Sequence, residues 1–164
     1  MAFDAFLKLD GVEGSATRKG YENTIFLDSF SWGAHSPINP VGAGQGGTAG
    51  RVEIQPLTVT KKTDKSSPKL FQACCSGKHF PKAVLSILKA GGESPVDYLK
   101  FELEGVVVAD MQQGGASNGM DDTPMDTITL GFSKINVLFT DQKADGTKGG
   151  TVAAGWDLRG SKAV

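Results

Sequence analysis

Two cysteines and two histidines are the residues of this sequence best suited to nucleophilic chemistry. A thiolate beside an imidazole base is the arrangement of a cysteine hydrolase. Cys74 and Cys75, however, fall on the apolar stripe of a predicted helix, where packing explains them, and His79 follows directly after that helix. His35 lies in a loop rich in glycine and proline and is expected at the surface. A small β-domain hydrolase therefore stays open only as an alternative function.

The stretch from Gly42 to Gly47 matches the pattern G-x-G-x-x-G of dinucleotide-binding sites, and Asp64 lies near the offset of a ribose-binding carboxylate. In such a site the glycine turn follows a strand and opens a helix. Here the residues SPINPV precede the glycines, and a strand pattern from Arg51 to Thr60 follows them. We therefore expect no nucleotide cofactor.

Two further motifs are incomplete. The segment from Asp141 to Gly146 resembles the start of a calcium loop, but Lys143 places a cation at a ligand position and Val152 replaces the bidentate glutamate. Gly77-Lys78-His79 resembles the end of a phosphate loop without its upstream glycine and its Ser or Thr. The sequence thus predicts no catalytic residue, no metal site and no cofactor.

The composition excludes other partners. The formal net charge is -1 at pH 7, and the basic residues are spread along the chain, so neither nucleic acid nor an anionic membrane is an expected partner. No segment approaches the ~20 apolar residues of a membrane span, and the amino terminus lacks a signal-peptide pattern. We expect a protein made and folded in the cytoplasm, with residues 1–164 as a single domain.

The elements that position these residues are predicted to be mostly strands. The 22 glycines cluster between ordered segments, as is typical of the turns of a β-rich chain. The clearest strand is 98–104, where Leu99, Phe101 and Leu103 alternate with polar residues, so that one side of the sheet stays wet. The predicted strands are 3–9, 22–32, 51–60, 83–89, 98–109, 126–140 and 154–159.

Two of these strands are predicted to be irregular. Proline cannot donate a hydrogen bond to a neighbouring strand, so Pro56 indicates a bulge or a sheet edge. Within 126–140 the apolar positions change from even to odd near Ser133-Lys134. Because a shift of one residue exchanges the two faces of a strand, this change predicts a second bulge.

One helix is predicted, at about 67–76. Ser67 is expected to cap its first turn, Pro68 suits the first helical position, and Gly77 suits a left-handed stop. Together with the strands, this helix predicts a β-barrel or sandwich of two sheets with one flanking helix. The residues expected to form the apolar stripe of the helix are Leu70, Phe71, Cys74 and Cys75.

Four stretches of the sequence carry a resemblance to a known family. They are Ser31-Trp32-Gly33, Gly50-Arg51-Val52, Thr60-Lys61 with Asp64 to Leu70, and Gly155-Trp156-Asp157. Each is short, but their order and spacing along the whole chain are specific. Together they resemble the haemolysin-coregulated protein family of bacterial type VI secretion systems.

The resemblance implies a β-barrel, six copies of which close into a ring around a channel. The rings stack into a tube that lies within a contractile sheath, carries a spike protein at its tip and holds small effector proteins in its lumen. The protein leaves the cell without a signal peptide. A phage-like tail-tube subunit has the same architecture and stays open as a second interpretation.

The expected site residues are contacts between copies. Glycine allows a loop to adopt whichever conformation a neighbouring ring requires, which makes the loop from Ser36 to Gly50 the first candidate, with an idle disordered loop as the alternative. Ser31 is the candidate for the lumen, and burial or a subunit contact is its alternative. The candidates for contacts between rings are Gly42, Gly44, Gln45, Gly46, Gly47, Gly91, Gly92, Glu93, Asp157 and Arg159.

Overall fold

The computed structural model describes residues 3–37, 51–89, 96–117, 119–120 and 122–164. Within these ranges the chain forms ten strands and one helix. In chain order the elements are β1 (Phe3–Leu9), β2 (Ile25–Leu27), β3 (Ser29–His35), β4 (Glu53–Lys62), α1 (Ser67–Ser76), β5 (His79–Lys89), β6 (Asp97–Gly114), β7 (Met125–Gly131), β8 (Lys134–Gln142), β9 (Lys148–Asp157) and β10 (Lys162–Ala163).

The strands form two rows that share β6. One row has the order β10-β9-β8-β6-β5-β1-β2, and the other runs from β3 through β4 and β7 to the carboxyl-terminal half of β6. Every pairing is antiparallel. Helix α1 contacts β6. The predicted mainly β fold with one short helix is confirmed.

The core lies between the two rows of strands. Alternation places every second side chain inside, so Val59 of β4, Leu85 of β5 and Leu103 of β6 are completely buried. Leu70 and Ala73 add one face of α1 to this cluster. No helix in the described ranges is long and apolar enough to cross a membrane.

Strand β6 bends where it passes from one row to the other. Gly105 has φ +61, a left-handed conformation, and a side chain at this position would collide with the hydroxyl of Ser133. Buried positions on β6 are odd before the bend, as at Leu103, and even after it, as at Val106. The bend therefore allows one strand to serve both parts of the core.

The facing strand is interrupted at the same point. Gly131 of β7 pairs with Val107, and Lys134 of β8 pairs with Glu104. Two residues lie between these pairs on each strand, so no residue is inserted. The predicted change of face near Ser133 is present, but the predicted bulge is wrong, since both strands change face together.

The irregularity predicted at Pro56 is confirmed. Ser31 pairs with Thr58, whereas Gly33 pairs with Gln55. Two residues of β4 therefore lie opposite one residue of β3. This is the position at which a residue without an N–H disturbs the hydrogen bonds least.

The helix has the predicted bounds and ends at Gly77, which has φ 66. Its expected cap is wrong, because Ser66 stands at that position and the Ser67 hydroxyl is engaged elsewhere, as described below. The predicted apolar stripe is also partly wrong, since Phe71 and Cys75 are exposed. Packing against β6 turns a different face of the helix inward, the one with Leu70 and Ala73.

The predicted terminal strand at 154–159 is replaced by β9 and β10. Strand β9 begins at Lys148, and most of its residues are exposed. Alternation reports a half-buried strand, so a strand that the single chain leaves uncovered gives no such signal.

Candidate functional site

Strands β8 and β9 extend the core-facing side of the sheet beyond the core. Directly opposed residues of antiparallel strands project from the same face. One such row runs through Ile87, Leu99, Phe139 and Val152, and exposure rises from 1% at Ile87 to 45% at Phe139 and 72% at Val152. The apolar side of the sheet thus continues into solvent. We call the set Val137, Phe139, Val152, Ala154 and Trp156 the β8–β9 face.

A cleft separates the β8–β9 face from the inner sides of β3 and β4. Its volume is about 440 Å³. The walls are almost entirely apolar and include two tryptophans. Such a cleft accepts an apolar side chain of another molecule. Its main lining residues are Trp32, Ala34, Ile54, Val137, Ala154 and Trp156.

The sheet has a free edge beside this face. Within the described ranges, β9 from Lys148 to Ala154 pairs only with β8, because β10 reaches only Trp156 and Asp157. Strand β3 likewise pairs only with β4 in the part of the chain that the structure describes. Unpaired edges present backbone N–H and C=O groups to a strand of another chain.

Six uncharged hydroxyl groups lie together on the outer side of β3, β4 and β7. In the register of these strands, Ser31 pairs with Thr58 and Thr58 pairs with Thr129. The Thr58 and Thr129 hydroxyl oxygens lie 3.5 Å apart. A second row is parallel to the first. We call the set Ser29, Ser31, Thr58, Thr60, Thr127 and Thr129 the hydroxyl face.

Ser31 is exposed on the hydroxyl face. The alternative of burial within the chain is therefore wrong. The two other interpretations, a place in the lumen or in a subunit contact, remain predictions.

The outer side of the other row of strands is charged instead. Lys134 of β8 lies 3.4 Å from a Glu104 oxygen, and Lys82 of β5 lies 3.9 Å from Glu102. These side chains are partly or largely exposed, so each pair contributes at most about 1 kcal/mol. The two outer surfaces of the protein therefore differ in charge, although both are wet.

Asp157 ends β9, and Arg159 lies in the turn that leads to β10. The Asp157 carboxylate accepts backbone N–H bonds from Arg159 at 2.9 Å and Gly160 at 3.1 Å. The bond from Gly160 is the main cause that lowers the pKa of Asp157 below its ordinary value. Asp157 thus has a local role in the turn, and its contact with another ring stays a prediction. The other predicted ring contacts lie outside the described residues: Gly42, Gly44, Gln45, Gly46, Gly47, Gly91, Gly92 and Glu93.

Sequence reasoning missed a buried ion cluster beneath the start of α1. Lys61 and Asp126 are both completely buried and face each other on β4 and β7. The Lys61 ammonium nitrogen lies 2.9 Å from an Asp126 oxygen, 2.9 Å from an Asp64 oxygen and 2.9 Å from the Ser67 hydroxyl. The cluster therefore joins two strands to the first turn of the helix.

Both carboxylates of the cluster are held in the charged form. Burial alone would raise the pKa of Asp126, but hydrogen bonds from Ser67, Lys61 and two further donors outweigh it and lower that pKa. Burial acts on Asp64 in the same sense, and bonds from Ser66 and Lys61 again lower its pKa. The two further donors to Asp126 are Gln113 and Thr63.

A serine beside a lysine can form a catalytic dyad, but this geometry opposes it. A lysine base must accept the serine proton, whereas here the Lys61 nitrogen donates a hydrogen bond to the Ser67 hydroxyl, and that hydroxyl donates to Asp126. Ser67 is 4% exposed, so a substrate has no access to its hydroxyl. The cluster is structural. The sequence did contain a signal for it. Lys61 follows Leu57 and Val59 at the same period of two, and Asp126 precedes Ile128 and Leu130 at that period, so both have the phase of buried residues.

The residues considered for nucleophilic chemistry lie on α1, β5 and β3. Cys74 is half-buried against the core, and Cys75 is exposed on α1. His79 is exposed at the start of β5, and His35 is exposed opposite Glu53. In the described part of the chain no hydrogen bond joins a cysteine to a histidine, and no group of three His, Cys, Asp or Glu side chains could hold a metal ion.

A mainly β protein with a free edge beside an uncovered apolar face belongs to the class of proteins that associate with another chain. The family model "Type VI secretion system effector, Hcp" matches residues 6–139. "Protein hcp1" of Pseudomonas aeruginosa is 43% identical over 161 residues, which is 97% of either chain. The chain therefore belongs to the Hcp family of type VI secretion system proteins, and the resemblance seen in its sequence is confirmed.

Solved structures agree with this assignment. Hcp1 from Salmonella typhimurium is 33% identical, with a TM-score of 0.83 and full coverage of both chains. A structure described as a type six secretion system protein is 30% identical, with a TM-score of 0.94, and covers 99% of this chain and 100% of its own. The fold is thus shared across almost every residue.

Proposed function

We propose that this protein is the structural subunit of the inner tube of a type VI secretion system. Copies of the chain close into rings of six, and the rings stack into a tube. Membership of the Hcp family supports this function. The single observation that carries it in this chain is the β8–β9 face with the free edge of β9 beside it.

The free edge indicates how copies join. Strand β9 and strand β3 are different parts of the molecule. When β9 of one copy pairs with β3 of the next copy, the contact is therefore head-to-tail. A contact of this type repeats until the ring closes. It would also cover Phe139 and Val152, whose exposure in the single chain is unfavourable.

The hydroxyl face is the proposed lining of the channel, with Ser31 as a contact for cargo. Hydroxyl groups exchange hydrogen bonds readily with water, and these six residues carry no fixed charge. Charged residues border them, since the exposed Asp110 of β6 pairs with Thr129. The charged outer side of β5, β6 and β8 is less suited to that role, since it would attract one sign of charge at each position.

The remaining partners follow from the family. The tube lies within a sheath, carries a spike at its tip and is exported from the cytoplasm. The proposed subunit acts as one unit from residue 1 to 164 and has no catalytic role. Its activity is assembly.

The test is the mass of the purified particle. Light scattering is expected to give six times the 17.2 kDa mass of one chain, and electron microscopy is expected to show annular particles. A single chain at every concentration would overturn the proposal.

A further inference from the structure

A small pocket lies between α1, the turn at Gly11-Val12 and the start of β5. Its volume is about 230 Å³. The helix contributes Lys69, Gln72 and Ser76, which recur at intervals of three and four and so lie on one face. Lys78 closes the pocket from the other side. We call this the α1 pocket.

Each polar side chain of the α1 pocket can donate hydrogen bonds. Lys69 and Lys78 carry ammonium groups, Gln72 an amide and Ser76 a hydroxyl. Lys69 donates one hydrogen bond to the Gly11 carbonyl oxygen at 3.2 Å, which leaves two of its N–H groups. The pocket therefore collects N–H and O–H groups without a carboxylate to accept them.

Both cations lack an acidic partner. The Lys78 ammonium lies 5.2 Å from the centre of the Phe80 ring, and among the described residues neither it nor Lys69 forms an ion pair. Several other lysines of this chain are paired, as Lys82 is with Glu102. The α1 pocket thus has two ammonium groups that no carboxylate of the described chain pairs with.

We infer that the α1 pocket binds a phosphoryl group. A phosphate carries about -1.5 to -2 charges at pH 7 and three acceptor oxygens, which match two ammonium groups and two neutral donors. A carboxylate has one charge and would leave one lysine unmatched. Val12, Ala73 and Phe80 form an apolar floor that suits a compact group held at the rim by its oxygens. This site lies apart from the proposed assembly surfaces and does not depend on the tube function.

The test uses inorganic phosphate with the full-length protein, in buffers of equal ionic strength. Isothermal titration calorimetry is expected to detect one phosphate per chain, and Lys69→Gln and Lys78→Gln are each expected to weaken binding about tenfold or more, since each removes a charged donor. Lys82→Gln removes the same charge outside the pocket and is expected to leave binding unchanged. Acetate is expected to bind at least tenfold more weakly than phosphate.

Three results would overturn the inference. The first is absence of phosphate binding by the wild-type protein. The second is an equal loss in all three variants, which would mean a diffuse response to net charge. The third concerns the helix: if Lys78 serves only to offset the partial negative charge at the carboxyl end of α1, Lys78→Gln would lower the melting temperature equally with and without phosphate.

Discussion

The ion cluster around Lys61 and the β8–β9 face reverse the usual arrangement of a protein. The cluster places an ammonium group and a carboxylate in the interior, both completely buried. The β8–β9 face places aliphatic and aromatic side chains in solvent, with Val152 72% exposed. The cluster is satisfied within one chain, whereas the β8–β9 face is left uncovered by the described residues. One region therefore holds the fold together, and the other is the surface that we propose for assembly.

The largest expected effect tests the first half of this contrast. Lys61→Met leaves the Asp126 carboxylate buried without its cation, and the free energy of unfolding is expected to fall by about 3–5 kcal/mol. Urea denaturation measures this change. Lys8→Met, at an exposed position of β1, is the control and is expected to change stability by less than about 0.5 kcal/mol.

A double variant separates the charge from the site. Lys61→Met with Asp126→Leu replaces the central pair by apolar groups and is expected to recover much of the lost stability, because no uncompensated charge remains at either position. A loss below about 1 kcal/mol for Lys61→Met alone would mean that the cluster does not hold the fold together.

Low pH provides the next test of the ion cluster around Lys61. The pKa values of Asp126 and Asp64 lie below their ordinary value of 3.8 in the folded chain. Each carboxylate therefore stabilises the fold fully above that value, and this contribution is lost as the pH falls through the lower folded pKa. Urea denaturation between pH 7 and pH 3 is expected to show a decline below about pH 4. Asp126→Asn is expected to flatten it, and an unchanged decline in that variant would contradict the assignment.

The sequence predicts the strands that one chain half-buries, and it does not predict a strand that the single chain leaves exposed. Strand 98–104 and the bulge at Pro56 were predicted because alternation and the missing proline N–H act locally. The start of β9 at Lys148 was missed, since an uncovered strand does not alternate. Lys61 was missed for the opposite reason: its position has the phase of a core residue, but only the three-dimensional pairing with Asp126 explains a cation there.

The second half of the contrast is tested by Val152→Asp. A charge on the β8–β9 face is expected to weaken association about tenfold or more, since burying it against another chain costs several kcal/mol. The folded single chain is expected to keep its stability within about 0.5 kcal/mol. Light scattering over a range of concentrations measures the shift toward single chains.

Thr151→Asp supplies the matched control for this face. Thr151 precedes Val152 on β9 and projects from the opposite side of the sheet. The Thr151→Asp variant carries the same new charge as Val152→Asp and is expected to leave the particle mass unchanged. Equal effects of the two variants would show that β9 does not use one side for assembly.

The smallest expected effect concerns Ser31. Ser31→Cys, in a chain with Cys74→Ala and Cys75→Ser, is expected to change stability by less than about 0.5 kcal/mol because Ser31 is exposed. In assembled rings a small maleimide is expected to label this thiol, whereas a maleimide attached to a protein wider than the channel is not. Equal labelling by both reagents would place Ser31 outside the lumen.

The bend at Gly105 has a mechanical consequence. Strand β6 runs through 18 residues without ending, bonded to β5 and β8 in its first part and to β7 in its second. A force along this strand loads many of its backbone hydrogen bonds at once in shear, instead of breaking them one after another. A force applied along β6 would therefore pass through a single covalent segment, in which Gly105 is the only residue with a positive φ.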